Sequence, residues 1–139
     1  MPASSFVDTN IWVYAHLRKI SDPRHPLALA FVKQLKNGFI SPQVVAEYYN
    51  VMLKNGKDDA WIQTNLTSIM AYTRMQPLDS SLVQRALTIR NRYGFSYWDC
   101  QIVAAALEAG CAELFTEDMQ HGQIIHGVLR IVNPILKSS

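Results

Sequence analysis

Cysteine is scarce: Cys100 and Cys111 are the only two among 139 residues. Two cysteines build no disulfide framework, and these have no metal-ligand spacing, so a reducing cytoplasm is the expected home. Long hydrophobic runs are also missing. No uninterrupted apolar stretch exceeds the six residues of Ile102 to Leu107, far short of the roughly 20 needed to cross a bilayer. The opening Met-Pro-Ala-Ser-Ser-Phe-Val-Asp has neither the basic start nor the apolar segment of a secretory leader. The six glycines and six prolines are scattered, which excludes collagen-like and linker-like sequence. Charge is sparse, at 17% against 49% hydrophobic residues, so the chain is not intrinsically disordered. His16, His25, His121 and His126 show no zinc-type spacing with the cysteines and read as surface or packing residues. Neither a P-loop nor a dinucleotide-binding glycine fingerprint is present, which ranks nucleotide-cofactor enzymes low.

What is there suits one folded α/β domain spanning residues 1–139. Short strand-like runs alternate with helix-like runs. Ser4 to Val7 reads as a strand, followed by a helix over Ile11 to Leu17. Asp22-Pro23 reads as an N-cap with proline in the first turn, opening a second helix. Phe39-Ile40 is a second strand, and Ser41-Pro42 caps and starts a helix that runs to about Lys54. Asp58-Asp59 opens another helix. Gln76 to Leu78 reads as a brief strand, and Asp79 caps a helix closed by Gly94. Ser96 to Ala109 is a further helix, ended by Gly110. Glu113 to Thr116 and Val128 to Val132 complete the strands. This alternation predicts a mainly parallel sheet covered by helices on both faces, with ligands bound beyond the carboxyl ends of its strands.

Four acids occupy positions where chemistry belongs in such a fold. Asp8 follows the first strand, and the sequence Asp8-Thr9-Asn10 supplies more polar oxygens than one helix cap needs. Glu47 lies at the edge of an apolar arc, about 40° from Val51 on a helical wheel, where spacing alone favours a surface glutamate whose stem covers that margin. Asp99 closes the capping box Ser96-Tyr97-Trp98-Asp99. It also shares a face with Ile102, Val103 and Ala106 in a helix that is apolar almost all round. A carboxylate there needs a cation or several donors. Asp118 ends the run Leu114 to Asp118; alternation turns Glu117 the other way, and Asp118 is the better match to Asp8.

Setting these four aside leaves seven acids against thirteen Lys and Arg, a basic body suited to a polyanion. Arg85, Arg90 and Arg92 on one helix, with Arg18, Lys19 and Arg24 elsewhere, are candidate phosphate contacts, although a solvated face explains them as well. Trp12, Tyr14, Tyr48, Tyr49 and Trp98 lie beside the acids and could stack bases, with core packing the simpler role for most. Four converging carboxylates about 5 Å apart would repel by about 3 kcal/mol per pair at an effective dielectric near 20. Hard divalent cations, Mg²⁺ or Mn²⁺, relieve that repulsion and leave room for water and phosphate.

The segments Phe6-Val-Asp-Thr-Asn-Ile11, Ser41-Pro-Gln-Val-Val-Ala-Glu47, Phe95-Ser-Tyr-Trp-Asp-Cys-Gln-Ile-Val-Ala-Ala-Ala106 and Leu114-Phe-Thr-Glu-Asp-Met-Gln-His-Gly122 together resemble the PIN-domain ribonucleases. Within that family they are similar to the VapC-type toxins of bacterial toxin–antitoxin pairs. The resemblance implies a three-layer α/β/α fold with a short parallel sheet. It places the family's acidic residues on Asp8, Glu47, Asp99 and Asp118, with Thr9 or Asn10, Ser96 and Thr116 as neighbouring polar positions. It implies an Mg²⁺- or Mn²⁺-dependent endoribonuclease with one or two ions, leaving a 5′-phosphate and a 3′-hydroxyl. The implied partners are structured RNA such as tRNA, a small cognate antitoxin and a second copy of the chain. In this reading Asp8 and Asp99 bind metal directly, Asp118 directly or through water, and Glu47 as ligand or water-positioning base.

Two other classes compete. An aspartyl-phosphate hydrolase would want a second acid two positions after Asp8, where Asn10 stands, and a receiver would want a lysine at a late strand end. A non-catalytic PIN-like binding module would not need all four acids.

Overall fold

The computed structural model describes residues 3–19 and 21–136. Strand β1, Ser5–Val7, is followed by helices α1, Thr9–His16, and α2, Arg24–Gln34. Strand β2, Gly38–Ile40, leads into α3, Pro42–Lys54, and α4, Asp59–Tyr72. Then come β3, Arg74–Met75, α5, Ser80–Tyr93, and α6, Tyr97–Glu108. The chain finishes with β4, Glu113–Phe115, β5, Ile124–Ile125, and β6, Leu129–Val132. Among the described residues six strands form one sheet in the order β3-β2-β1-β4-β6-β5. Every pairing is parallel except β5 with β6.

The strand order explains the layering. From β1 the chain moves outward to β2 and β3, then returns past β1 to β4. Right-handed crossovers running in opposite directions put their helices on opposite faces. Accordingly α1 packs on α2 and α3, α3 packs on α4, and α5 and α6 pack on each other. The central strands carry the core: Phe6, Val7, Ile40, Leu114 and Ile131 are inaccessible. Each such side chain contributes about 1.5–3 kcal/mol.

Local signals account for most boundaries. Asp58 Oδ1 accepts from Trp61 N at 2.8 Å, and Asp79 Oδ1 accepts from Leu82 N at 3.0 Å. Gly94 closes α5 with φ +73°, a conformation that costs glycine nothing. Four expectations need correction. The second helix starts at Arg24, with Pro23 at the cap position and Asp22 Oδ1 accepting from Arg24 N at 3.0 Å. Ser41 stands at the N-cap of α3 without a capping side-chain hydrogen bond, so Pro42 alone marks that start. The strand expected over Gln76 to Leu78 lies earlier, at Arg74–Met75. Gln76 N still donates to Ile40 O at 2.8 Å, and Pro77, with no N–H to give, ends the pairing. Strand β5 was unforeseen. The three residues His126 to Val128 join it to β6, with His126 and Gly127 at φ +51° and +70°, left-handed conformations that suit a tight turn. Two residues of strand carry no periodicity to read. Among the described residues no helix is long and apolar enough to cross a membrane.

Candidate active site

Strand order reverses between β1 and β4, and open α/β sheets bind ligands at that point, beyond the carboxyl ends of the strands. Asp8 stands there as the N-cap of α1, its N–H donating to Phe115 O at 2.9 Å. Only 4% of its surface is exposed. Oδ1 accepts from Thr9 N at 2.7 Å, and Oδ2 accepts from Thr116 Oγ1 at 2.8 Å. Burial pushes the Asp8 carboxyl up to about 7, against the pull of those two hydrogen bonds; the charges of Glu47 and Asp118 add to the rise. A carboxylate with this much unrelieved desolvation lacks a counter-charge.

The other three acids reach the same cavity, of about 410 Å³, from three different elements. Glu47, on α3, accepts through Oε1 from Thr9 Oγ1 at 2.9 Å. Its half-buried place at the margin of the apolar face fits both readings of the helical wheel. Asp99 sits in the first turn of α6, where Ser96 Oγ accepts from Asp99 N at 3.2 Å. Burial raises its carboxyl above the usual range, offset by Ser96 and reinforced by Asp118. Asp118, after β4, accepts through Oδ2 from Asn10 Nδ2 at 2.8 Å. The Asn10 amide also donates to Thr116 Oγ1 at 3.3 Å and accepts from Glu117 N at 3.2 Å. Asn10 thereby aligns the segment after β4 with the start of α1.

Glu117 faces away from the four. It accepts from Tyr14 OH at 2.9 Å, and Arg24 lies 3.4 Å away. The Arg24 guanidinium stacks 4.2 Å from the Tyr14 ring centroid and donates to Asp22 at 2.8 Å. Asp22 is held well below the usual carboxylate range by these bonds from Arg24, while burial and the bond to Glu117 push Tyr14 up to about 12. Tyr14, Lys19 and Arg24 thus bring basic and aromatic groups to the cavity wall. Trp12 and Tyr48 are core residues, whereas Trp98 is 62% exposed beside Asp99.

The four carboxylates share one cavity without forming a ready-made ion cage. Among the described residues no group of three or more His, Cys, Asp and Glu side chains is assembled to hold a metal ion. The cause is visible in the hydrogen bonds: Asp8, Glu47 and Asp118 each turn an oxygen to a neighbouring donor rather than to one another. The donor set is nevertheless all oxygen, and Asp8 is pushed up by burial, with the charges of Glu47 and Asp118 adding to the rise. Such a set fits a hard divalent cation and does not suit zinc or copper.

Sequence reasoning passed over Gln43 and Gln101. Both are buried, and Gln101 Nε2 donates to Gln43 Oε1 at 2.8 Å. The available signal was a glutamine inside the apolar run Cys100 to Ala106, since a buried polar side chain must find a partner.

Residues 5–124 match the PIN domain family, and the chain belongs to that family. No curated protein matches it. Several solved structures share its fold. VapC20 from Mycobacterium tuberculosis, described as a toxin that cleaves the sarcin–ricin loop, is 20% identical over 83% of this chain and 92% of its own, with a TM-score of 0.68. A toxin–antitoxin complex from Klebsiella pneumoniae is 18% identical over 94% and 98%, with a TM-score of 0.69. VapBC2 from Rickettsia felis, bound to a fragment of its promoter DNA, is 19% identical over 93% and 98%, with a TM-score of 0.63. At these identities the likeness is one of fold.

Proposed function

We propose that this single-domain protein is a cytoplasmic, divalent-metal-dependent endoribonuclease and the toxin of a VapC-type toxin–antitoxin pair. One observation carries the reading: Asp8, Glu47, Asp99 and Asp118 line one cavity at the reversal of strand order, where Asp8 is buried without a counter-charge. Family membership supports a nuclease, and the toxins and toxin–antitoxin complexes among the structures of like fold support the biological setting. The assigned partners are RNA, with structured RNA such as tRNA as the substrate class, a small antitoxin and a second copy of the chain.

Asp8, Asp99 and Asp118 would hold one or two Mg²⁺ or Mn²⁺ ions, with Glu47 as a further ligand or as the base that orients water. When bound, such ions acidify water and neutralise phosphoryl oxygens. The chain's own residues supply the rest. Thr116 and the Thr9 amide hold the Asp8 carboxylate in one orientation. Thr9 holds one oxygen of Glu47 and leaves the second to accept a proton from water. Asn10 holds Asp118. Lys19 and Arg24, on the wall, offer positive charge to the phosphates flanking the scissile bond.

The test is incubation of purified protein with total RNA in Mg²⁺ or Mn²⁺ and in EDTA, followed by sequencing of new 5′ ends. Discrete metal-dependent cuts bearing 5′-phosphates, absent from Asp8→Asn and Asp99→Asn, are expected. RNA binding without metal-dependent cutting would overturn the assignment in favour of a binding module.

A further inference from the structure

We infer that Gln43 and Gln101 are positioning residues that set the separation of Glu47 and Asp99. This rests on the reading of those acids as parts of a metal-dependent nuclease site. The two acids belong to helices that pack with different partners: α3 lies against α1 and α4, whereas α6 lies against α5 and the sheet. Nothing in either helix by itself relates one carboxylate to the other. The two glutamines do. Gln43 stands one helical turn before Glu47, and its Nε2 donates to the backbone carbonyl of Trp98, the residue that precedes Asp99, at 3.1 Å. Gln43 Oε1 accepts from Gln101 Nε2 at 2.8 Å, and Gln101 Oε1 accepts from Tyr97 OH at 3.0 Å. The chain of bonds therefore runs from α3 through two side-chain amides to the first turn of α6 and back to its first residue.

The energetics mark this as more than filling. Each glutamine is only 7% exposed, and a buried amide left unpaired is destabilising. An apolar pair of equal volume would fill the space without that liability. What amides add is direction: hydrogen bonds fix distance and angle, whereas methylene contacts let two helices slide. The direction added here is across the cavity, between the backbones that carry Glu47 and Asp99. Both Glu47 and Asp99 line that cavity, and so does Gln43.

The test replaces both amides at nearly constant volume, as Gln43→Met with Gln101→Met. The Trp98 carbonyl keeps its place in the first turn of α6, and the half-buried Tyr97 hydroxyl can turn to water, so neither is stranded. Three quantities are measured: thermal unfolding in EDTA, Mn²⁺ binding by calorimetry and RNA cleavage. The expected result is a melting temperature near that of the unaltered protein, Mn²⁺ affinity at least tenfold weaker and kcat lower by a similar factor, with KM for RNA little changed. Tyr97→Phe, which removes one hydroxyl and cannot empty the core, should weaken Mn²⁺ binding two- to threefold in the same direction. Unaltered Mn²⁺ affinity in Tyr97→Phe, and in the double variant wherever that variant folds, would overturn the positioning role. Failure of the unaltered protein to bind Mn²⁺ or cut RNA would instead overturn the nuclease reading, so the two outcomes are distinct.

Discussion

Thr116 Oγ1 donates to Asp8 Oδ2 at 2.8 Å, joining the carboxyl ends of two adjacent parallel strands across 108 residues of chain. The same hydroxyl accepts from Asn10 Nδ2 and from Asp118 N. A side chain with no exposed surface therefore ties three of the residues around the cavity to one atom. Its removal should be felt both in stability and in chemistry.

Thr116→Val keeps the volume and removes the donor. Hydrogen bonds to charged groups contribute about 1.5–3 kcal/mol, so unfolding in urea at pH 8 should show a loss of about 2 kcal/mol. At pH 5, where Asp8 is mostly protonated, the loss should be smaller. Equal losses at both values would mean that the hydroxyl does not act on the Asp8 carboxylate.

Asp8 also makes the metal-free protein sensitive to pH in an unusual sense. Its carboxyl sits at about 7 when folded, against 3.8 otherwise. Between those values the unfolded chain releases a proton that the folded protein keeps, so stability falls as pH rises. The shift corresponds to roughly 4 kcal/mol of stability, fully present below about pH 4 and lost as pH rises through 7. In EDTA the melting temperature should drop from pH 5 to pH 8, and Asp8→Asn should flatten that slope while raising stability at pH 8. A steeper slope in Asp8→Asn would contradict the assignment.

The two adjacent acids after β4 should separate cleanly. Asp118→Asn removes a carboxylate from the cavity and should reduce RNA cleavage by on the order of 100-fold. Glu117→Gln touches only Tyr14 and Arg24 and should leave cleavage within about threefold, as expected for a partly exposed pair. Initial rates on one RNA decide between them.

Metal should also protect the fold. A ligand that binds only the folded state adds about 2.7 kcal/mol at a hundred times its Kd. Millimolar Mn²⁺ at pH 8 should raise the melting temperature of the unaltered protein, and of Glu117→Gln, by several degrees. Asp8→Asn and Asp99→Asn should show little response.

Much of this was legible in the linear chain because it is written within four residues at a time. Asp79 and Gly94 bracket α5, Ser96 and Asp99 mark the start of α6, and Asp8 and Asp118 follow short apolar runs. Caps and periodicity are local interactions, and local interactions leave local marks. Gln76 to Leu78 shows the limit. Its residues suit a strand, but pairing depends on which neighbour is present, and β2 offers its edge to Arg74 and Met75 instead.

By itself, then, the order of amino acids determined the alternation of strands and helices and put Asp8, Asp99 and Asp118 at or near the ends of those elements. Only the tertiary structure decided that β4 lies beside β1, that Glu117 turns to Arg24 while Asp118 turns to the cavity, and that Gln43 meets Gln101. The reason is physical: hydrogen bonds that span 58 or 108 residues depend on where whole elements pack, and packing is settled by the sum of burial over the entire core rather than by any one stretch of chain.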